Sequence, residues 1–275
     1  MTLSGRQVRD LLTRHGLAPS RALGQNFVAD PNTVRRIAHL AGIGPGDRVV
    51  EIGAGLGSLT LALAETGAGV TAIETDRHLI PVLREVVESV GVRVVHADAR
   101  AVDWTELLEP PGDWVLVANL PYNIATSLVL DVLERVPTVG RLLVMVQREV
   151  GERLAARVGD DAYGIPSVKA AWWADAAVVG RVPATVFVPQ PRVESALVRL
   201  VRHDRPSVND DVARADVFRL IDAGFGQRRK MLRRSLAALV PPEAFVAAGV
   251  RPEARAEELT LDDWILLGSA VQHAM

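Results

Sequence analysis

Residues 49–60 read Val49-Val50-Glu51-Ile52-Gly53-Ala54-Gly55-Leu56-Gly57-Ser58-Leu59-Thr60. An apolar run leads into three glycines at alternate positions, and a helical pattern follows. Glycine adopts positive φ and lets another group approach the backbone closely. The order therefore predicts a strand, a tight loop beside a ligand and then a helix. A strand-to-helix turn without any ligand is the alternative.

Outward from this stretch, β-rich runs alternate with helical patterns. Alternation of this kind predicts a parallel sheet with helices on both faces. The β-rich runs are 48–52, 70–74, 92–96, 114–118 and 142–146, and the helical patterns are 59–65, 78–89 and 124–135. Two more runs, 176–182 and 195–201, are too close together for a helical crossover, so we expect them to pair antiparallel. The predicted fold class is α/β, with a Rossmann-like sheet of seven strands.

The flanking segments are expected to be helical. Residues 1–22 form an N-terminal extension, in which Val8, Leu11 and Leu12 share one face of a helix. The sheet domain runs from 23 to 204, residues 202–209 form a polar linker, and a small all-helical domain occupies 208–275. Helices of that last domain are predicted at 212–223, 228–239, 243–248 and 261–271.

Composition excludes several classes of protein. The chain has 275 residues, a net charge of −2 and no cysteine, which excludes disulfides and thiolate metal sites. No run approaches the ~20 apolar residues of a membrane span, and the N-terminus lacks the apolar block of a secretory signal. The six histidines show no metal-ligand spacing. We expect a cytoplasmic protein without a metal or a membrane partner.

Acidic residues follow the second and third predicted strands. The E-x-G-x-G-x-G order of the glycine loop resembles that of S-adenosylmethionine enzymes, since a nicotinamide loop places its third glycine one residue later. Glu74 then stands where such a fold needs a carboxylate for the ribose hydroxyls. Asp98 could accept the adenine amino group of the cofactor. A solvated acid for Glu74 and a helix N-cap for Asp98 are the alternatives.

The segment Asn119-Leu120-Pro121-Tyr122 follows the fourth predicted strand. This segment suits methylation of the amino group of adenine. The nitrogen of that group is a poor nucleophile because its lone pair is delocalised into the ring. Two hydrogen-bond acceptors for its N–H groups make that lone pair available. The Asn119 side-chain oxygen and the Leu120 carbonyl can serve as these two acceptors. Pro121 stiffens the turn, and Tyr122 offers a flat face on which a flipped base can stack. A generic Asn-Pro-type turn is the alternative.

A second aromatic precedes two prolines in Phe187-Val188-Pro189-Gln190-Pro191. Phe187 could form the other wall of a base pocket. A core aromatic beside a rigid turn is the alternative.

From about residue 20 onward the chain resembles the bacterial small-subunit ribosomal RNA adenine dimethyltransferases, the KsgA/RsmA family. The resemblance rests on the motifs above, on Leu23-Gly24-Gln25-Asn26-Phe27, and on Phe225-Gly226-Gln227-Arg228-Arg229-Lys230. It implies S-adenosylmethionine as cofactor and dimethylation of two adjacent adenosines in the 3′-terminal hairpin loop of 16S ribosomal RNA. The implied cofactor contacts are Asn26, Val28, Gly53, Gly55, Glu74, Asp98 and Asn119, and the implied catalytic residues are Asn119, Leu120, Pro121, Tyr122 and Phe187.

The expected partner is 16S ribosomal RNA within the small ribosomal subunit, bound by a monomer. Basic residues concentrate in one stretch of the helical domain, and the resemblance favours RNA contact there over a merely solvated helix face. They are Arg228, Arg229, Lys230, Arg233 and Arg234. One rival function is a large-subunit methyltransferase of the erythromycin-resistance type, which shares the Asn119–Tyr122 motif. Another is a non-catalytic ribosome-assembly or transcription factor that keeps the fold.

Overall fold

A seven-stranded sheet organises the larger of two units in the computed structural model. The structure describes residues 2–109, 112–204 and 214–274. One unit comprises Met1–Glu152 and Ala177–Arg202, and the other comprises Arg153–Ala176 and His203–Met275. The division therefore differs from the continuous domains expected from the sequence, because residues 153–176 pack with the C-terminal helices. Most of the predicted linker lies outside the described residues.

The described strands agree closely with the sequence pattern. In chain order they are β1 (Phe27–Val28), β2 (Arg48–Ile52), β3 (Gly69–Glu74), β4 (Arg93–His96), β5 (Trp114–Asn119), β6 (Val139–Gln147), β7 (Ala174–Val182), β8 (Phe187–Val188) and β9 (Ser195–Arg202). All seven predicted strands are confirmed, while the two-residue strands β1 and β8 have no counterpart in the prediction.

The described helices include several that the sequence pattern does not reveal. They are α1 (Gly5–Arg14), α2 (Pro31–Ala41), α3 (Ser58–Ala64), α4 (Ile80–Val87), α5 (Trp104–Leu107), α6 (Ala125–Arg135), α7 (Arg148–Ala155), α8 (Ile165–Ala171), α9 (Arg214–Gly226), α10 (Leu232–Ser235), α11 (Pro242–Ala247) and α12 (Leu261–Ala274). Helices α5, α7 and α8 were not predicted. Helix α1 buries Val8, Leu11 and Leu12 as expected.

The sheet order is β4-β3-β2-β5-β6-β9-β7. Strands β2 to β6 run parallel wherever they pair, and β9 lies antiparallel to β6. The two late strands are neighbours, as predicted, with β9 inserted between β6 and β7. This arrangement confirms the Rossmann-like α/β class.

The strand register brings three sequence-distant positions to one edge of the sheet. Ile52 pairs with Ile73 on one side and with Ala118 on the other. The next residues along these three strands are Gly53, Glu74 and Asn119. Because parallel strands end on the same side, these residues lie at the same level, as a ligand site in an open α/β sheet requires.

The C-terminal unit is helical and has its own core, which includes Trp172, Leu232 and Trp264. The helix predicted at 228–239 was wrong in extent. Residues 227–230 form a turn, and only α10 is helical in the middle of that range. The amides of Leu232 and Arg233 donate to the carbonyls of Ala254 and Pro252, at 2.8 and 3.0 Å. These contacts with a distant loop replace the helical bonds, and the sequence pattern does not show them.

Helix α9 passes close to the buried indole of Trp264. A Cβ atom added at Gly224 would lie 2.6 Å from the Cη2 atom of Trp264, which is fully buried. Alanine normally stabilises a helix relative to glycine by about 1 kcal/mol. Here overpacking costs about 1–3 kcal/mol, so we expect Gly224→Ala to lower the free energy of unfolding.

The matched control for this change is Gly226→Ala in the same helix. A Cβ atom there meets nothing within 4 Å, so this variant should be neutral or slightly more stable. Urea unfolding followed by circular dichroism measures both variants. Equal stability of the two would contradict the close packing of α9 on Trp264.

Candidate active site

The glycine loop lies between β2 and α3 and adopts the conformation that its residues permit. Gly53 and Gly55 have φ of 73° and 59°, in the left-handed region that glycine tolerates. A Cβ atom at Gly55 would lie 3.1 Å from the ring of Phe27. The loop therefore passes tightly beneath the N-terminal segment, and a side chain at Gly55 would push that segment away.

Glu74 ties the end of β3 to this loop. Its Oε2 accepts a hydrogen bond from the amide of Gly55 at 2.8 Å, and its Oε1 accepts one from the amide of Asp76 at 2.8 Å. The residue is 5% exposed. Burial raises the pKa of the Glu74 carboxyl above its usual value, and the backbone amides of Asp76, Gly55 and Thr75 partly offset that rise. The result is a buried, fixed carboxyl beside the glycine loop.

Asn119 connects the end of β5 to the N-terminal segment. Its Nδ2 donates to the carbonyl of Asn26 at 3.0 Å. The Asn26 side chain in turn donates to the carbonyl of Gly24 at 3.1 Å. The side-chain nitrogen of Asn119 is therefore already hydrogen-bonded within the protein. No described residue donates a hydrogen bond to its Oδ1. The side chain thus keeps one acceptor available at the edge of the sheet.

The residues after Asn119 form a rigid turn. The amide of Leu120 donates to the carbonyl of Met145 at 3.0 Å, and the amide of Ile124 donates to the carbonyl of Pro121 at 3.2 Å. The Tyr122 hydroxyl lies 3.0 Å from the Oγ of Ser195, the first residue of β9. Partial burial raises the pKa of that phenol, so it stays neutral. The tyrosine side chain is therefore held in place by a residue of β9.

One cavity joins these elements, with about 760 Å³ of empty volume, part of it open to solvent. Nine of the predicted site residues line it. They are Asn26, Val28, Gly53, Gly55, Glu74, Asn119, Leu120, Pro121 and Tyr122. The folded chain thus brings together residues from the N-terminal segment, the glycine loop and the ends of β3 and β5.

Two predicted site residues lie outside this lining. The Asp98 carboxylate contacts the guanidinium of Arg100 at 2.6 Å, which lowers the pKa of Asp98. Phe187 is 3% exposed and packs in the core beside α2 and α3. It is fixed there because Phe187 pairs with Val28 in the two-stranded sheet of β1 and β8. For Phe187 the structure matches the core alternative rather than the predicted pocket wall.

Glu51 is a cavity residue that the sequence analysis missed. It is 1% exposed, lines the same cavity, and its Oε2 has no hydrogen-bond partner among the described residues. Burial and the nearby Glu74 raise its pKa to about 8, although the Thr60 hydroxyl lowers it in part. The signal in the sequence is the acidic side chain of Glu51 within the apolar run of residues 49–52.

The basic residues of the helical unit fall into two groups. Arg228 forms an ion pair with Glu257 at 2.6 Å, and Arg233 forms one with Glu253 at 3.1 Å. The other three are exposed and have no ion pair with any described residue; they are Arg229, Lys230 and Arg234. In the same stretch Met231 is 40% exposed, whereas Leu232 and Leu236 are buried.

No group of three or more histidine, cysteine, aspartate or glutamate side chains in residues 2–109, 112–204 and 214–274 is arranged to hold a metal ion. Within the same ranges, no helix has both the length and the apolar character needed to cross a membrane.

Known proteins share both the sequence and the fold. The sequence profile of a family described as "Ribosomal RNA adenine dimethylase" matches residues 18–272. A protein from Leifsonia xyli subsp. xyli named "Ribosomal RNA small subunit methyltransferase A" is 48% identical and covers 96% of each chain. A protein of the same name from Streptomyces griseus subsp. griseus is 47% identical and covers 94% of this chain and 91% of its own length.

Solved structures extend the similarity to the fold. The crystal structure of the 23S rRNA methyltransferase ErmE is 28% identical, with a TM-score of 0.69 over 90% of this chain and 100% of that chain. A dimethyladenosine transferase from Plasmodium falciparum is 24% identical, with a TM-score of 0.74 over 88% of this chain and 95% of that chain. Both alignments extend beyond the sheet into the helical part of the chain.

Proposed function

The chain belongs to the ribosomal RNA adenine dimethylase family, and on that premise we propose that it dimethylates two adjacent adenosines in the 3′-terminal hairpin loop of 16S ribosomal RNA. It is an S-adenosylmethionine-dependent methyltransferase that acts on the amino group of adenine in ribosomal RNA. The observation that carries the proposed mechanism is the hydrogen bond of the Asn119 side chain. Its nitrogen donates to the carbonyl of Asn26, so its oxygen is left to accept a hydrogen bond from a substrate.

The residues present fit the cofactor. The cavity combines a glycine loop that admits close backbone approach with the buried carboxyl of Glu74 at the adjacent strand end. When bound, S-adenosylmethionine supplies an electrophilic methyl group on a positively charged sulfur. The proposed contacts are Asn26, Val28, Gly53, Gly55, Glu74 and Asn119. Asp98 belongs to the proposed set as well, although its carboxylate is paired with Arg100 in this structure.

In the first of the two proposed methyl transfers, the Asn119 oxygen and the Leu120 carbonyl accept hydrogen bonds from the two N–H groups of the adenine amino group. These hydrogen bonds would favour a pyramidal nitrogen with an available lone pair, which is the form of the amino group that can accept a methyl group. Tyr122 provides a stacking face, and its contact with Ser195 holds the ring in position. Positioning supplies most of the rate, and no strong general base is needed because the proton can leave after methyl transfer. Phe187 is left out of this mechanism because it is buried in the core.

The substrate is the main distinction from the rival functions. The 23S rRNA methyltransferase ErmE shares the fold, but the relatives at 47–48% identity carry a small-subunit name. Incubating the chain with S-adenosylmethionine and purified small or large ribosomal subunits from an unmethylated strain tests this directly. We expect dimethyladenosine at two adjacent positions of 16S ribosomal RNA. Methylation of 23S ribosomal RNA instead, or no transfer to either subunit, would reject the proposal.

Ribosomal RNA as substrate also suggests where and how the protein works. We place it in the cytoplasm, where small subunits assemble, and treat it as a monomer. Sedimentation of the purified protein measures the latter.

The exposed basic residues of the helical unit are proposed to contact RNA phosphates. We expect the double variant Arg229→Gln/Arg234→Gln to weaken binding to small subunits. It should also reduce the salt dependence of binding by roughly one unit of slope per lost phosphate contact. These two arginines form no ion pair with described residues, so their replacement should leave the unit folded.

The matched control is Arg251→Gln in the same unit. Arg251 is also exposed but is paired with Glu258 at 2.9 Å. Filter binding at several salt concentrations compares the variants with the unmodified protein. A normal salt slope in the Arg229/Arg234 variant would remove this surface from the RNA interface.

A further inference from the structure

The carboxyl group of Glu51 lines the candidate site but has no role in the proposed mechanism. It lies in the middle of the sheet unit, lines the cofactor cavity and is almost fully buried. No described residue donates a hydrogen bond to its Oε2. Buried polar atoms are nearly always satisfied, and a buried charge without a partner is strongly unfavourable. A buried carboxyl group that lines a ligand cavity and has one oxygen without a partner therefore points to a proton or a ligand that satisfies it.

Among the described residues, no positively charged group acts on the Glu51 carboxyl. On the flanking strands it pairs with Ala72 of β3 and Val117 of β5. Helix α3 contributes the buried hydroxyls of Ser58 and Thr60, and the Thr60 hydroxyl interacts with the Glu51 carboxyl group and lowers its pKa in part. The charged group that acts on it is another acid, Glu74. Burial and like charge thus both favour the neutral acid, consistent with a pKa of about 8.

We propose that Glu51 holds a proton in the cofactor-free protein and releases it to solvent when S-adenosylmethionine binds, so that its carboxylate becomes the counter-charge of the cationic cofactor. S-adenosylmethionine carries a sulfonium, an ammonium and a carboxylate, which gives a net charge of +1. The product S-adenosylhomocysteine has lost the sulfonium charge and is neutral overall. An ionised Glu51 therefore favours the substrate form of the cofactor over the product.

This role is distinct from that of Glu74. The ribose hydroxyls that Glu74 is proposed to bind are identical in the two forms of the cofactor, so Glu74 does not discriminate between them. Glu51 responds instead to the charge that methyl transfer removes. It is a positioning residue for the cofactor and takes no part in bond making.

The direct test is the proton balance of cofactor binding. Isothermal titration calorimetry in two buffers of different ionisation enthalpy counts protons released at pH 7. We expect roughly 0.5–0.9 proton per S-adenosylmethionine bound, and clearly fewer with S-adenosylhomocysteine. In Glu51→Gln the difference in proton release between S-adenosylmethionine and S-adenosylhomocysteine should vanish. In the same variant, the affinity for S-adenosylmethionine relative to that for S-adenosylhomocysteine should fall roughly tenfold.

Two controls isolate Glu51. Glu65 lies just after the end of α3, is exposed and is paired with Arg35. The substitution Glu65→Gln should leave the proton balance unchanged. Glutamine has the shape of the neutral acid, and thermal unfolding checks that the Glu51 variant is folded. If the variant does not fold, the unmodified protein suffices, because its affinity for S-adenosylmethionine should rise between pH 6 and pH 8 and then level off.

Three outcomes would overturn the proposal. The first is equal proton release with both ligands in the unmodified protein. The second is unchanged release in folded Glu51→Gln, which would assign the proton to another group such as Glu74. The third is a flat pH profile of affinity from pH 6 to pH 8.

Discussion

Methyl transfer by Asn119→Ala is expected to fall by at least 100- to 1,000-fold in kcat. The variant removes one of the two acceptors for the adenine amino group, and the loss of one precisely placed hydrogen-bonding group at a reacting centre has effects of this size. It also removes the hydrogen bond from Nδ2 to the carbonyl of Asn26. A moderate loss of cofactor affinity should therefore accompany the loss of turnover. Single-turnover assays on small subunits with saturating cofactor separate the two effects.

A neighbouring amide provides the control. Asn123 lies four residues further along the same turn and is exposed, so Asn123→Ala should keep near-normal turnover. Small-subunit binding should change little in both variants, because the arginines that are proposed to bind RNA phosphates are left in place. Turnover within a few-fold of normal in folded Asn119→Ala would mean that the amide oxygen is not an acceptor in the reaction, and the mechanism would fail.

The sequence predicted the centre of this site well because local pattern and sheet geometry both act there. The strand before Gly53 and the strands ending at Glu74 and Asn119 are apolar runs that any parallel sheet buries. Once they pair in parallel, their ends must meet at one edge. Nothing beyond the alternation of elements was needed to bring these three residues together.

Several contacts that the sequence did not reveal are long-range. Phe187 is fixed in the core by a two-residue strand pair with Val28, which is too short to leave a periodic pattern. The ion pairs of Arg228 and Arg233 join residues 29 and 20 positions apart. A charge run shows only that arginines are exposed, and the structure is needed to separate those with partners from those without.

The role of Glu51 was overlooked for a different reason. Its position in the E-x-G-x-G-x-G order makes it look like part of a motif, and the spelling of a motif does not say which atoms are satisfied. Only the folded structure shows that its Oε2 lacks a partner while the carboxyl oxygens of Glu74 both accept backbone amides. Two acids on adjacent strands therefore carry different chemical assignments.

The second large effect is expected for Glu74→Ala, which should weaken S-adenosylmethionine binding roughly 100-fold or more. The proposed ribose contact consists of charge-assisted hydrogen bonds worth about 1.5–3 kcal/mol each, and both are lost together. The variant also leaves the amides of Gly55 and Asp76 without their acceptor, which should loosen the glycine loop. Affinity for S-adenosylhomocysteine should fall by the same factor, because the ribose is common to both ligands.

Thermal unfolding with and without ligand gives an independent measure of this loss. Saturating S-adenosylmethionine should raise the Tm of the unmodified protein, since a ligand that binds only the folded state stabilises it. The shift should nearly disappear in Glu74→Ala and remain in Glu85→Ala, which removes an exposed acid of α4 outside the cavity. A variant that keeps both its calorimetric affinity and its Tm shift would show that the ribose is held elsewhere. The buried carboxyl of Glu74 would then serve only to anchor the loop through Gly55.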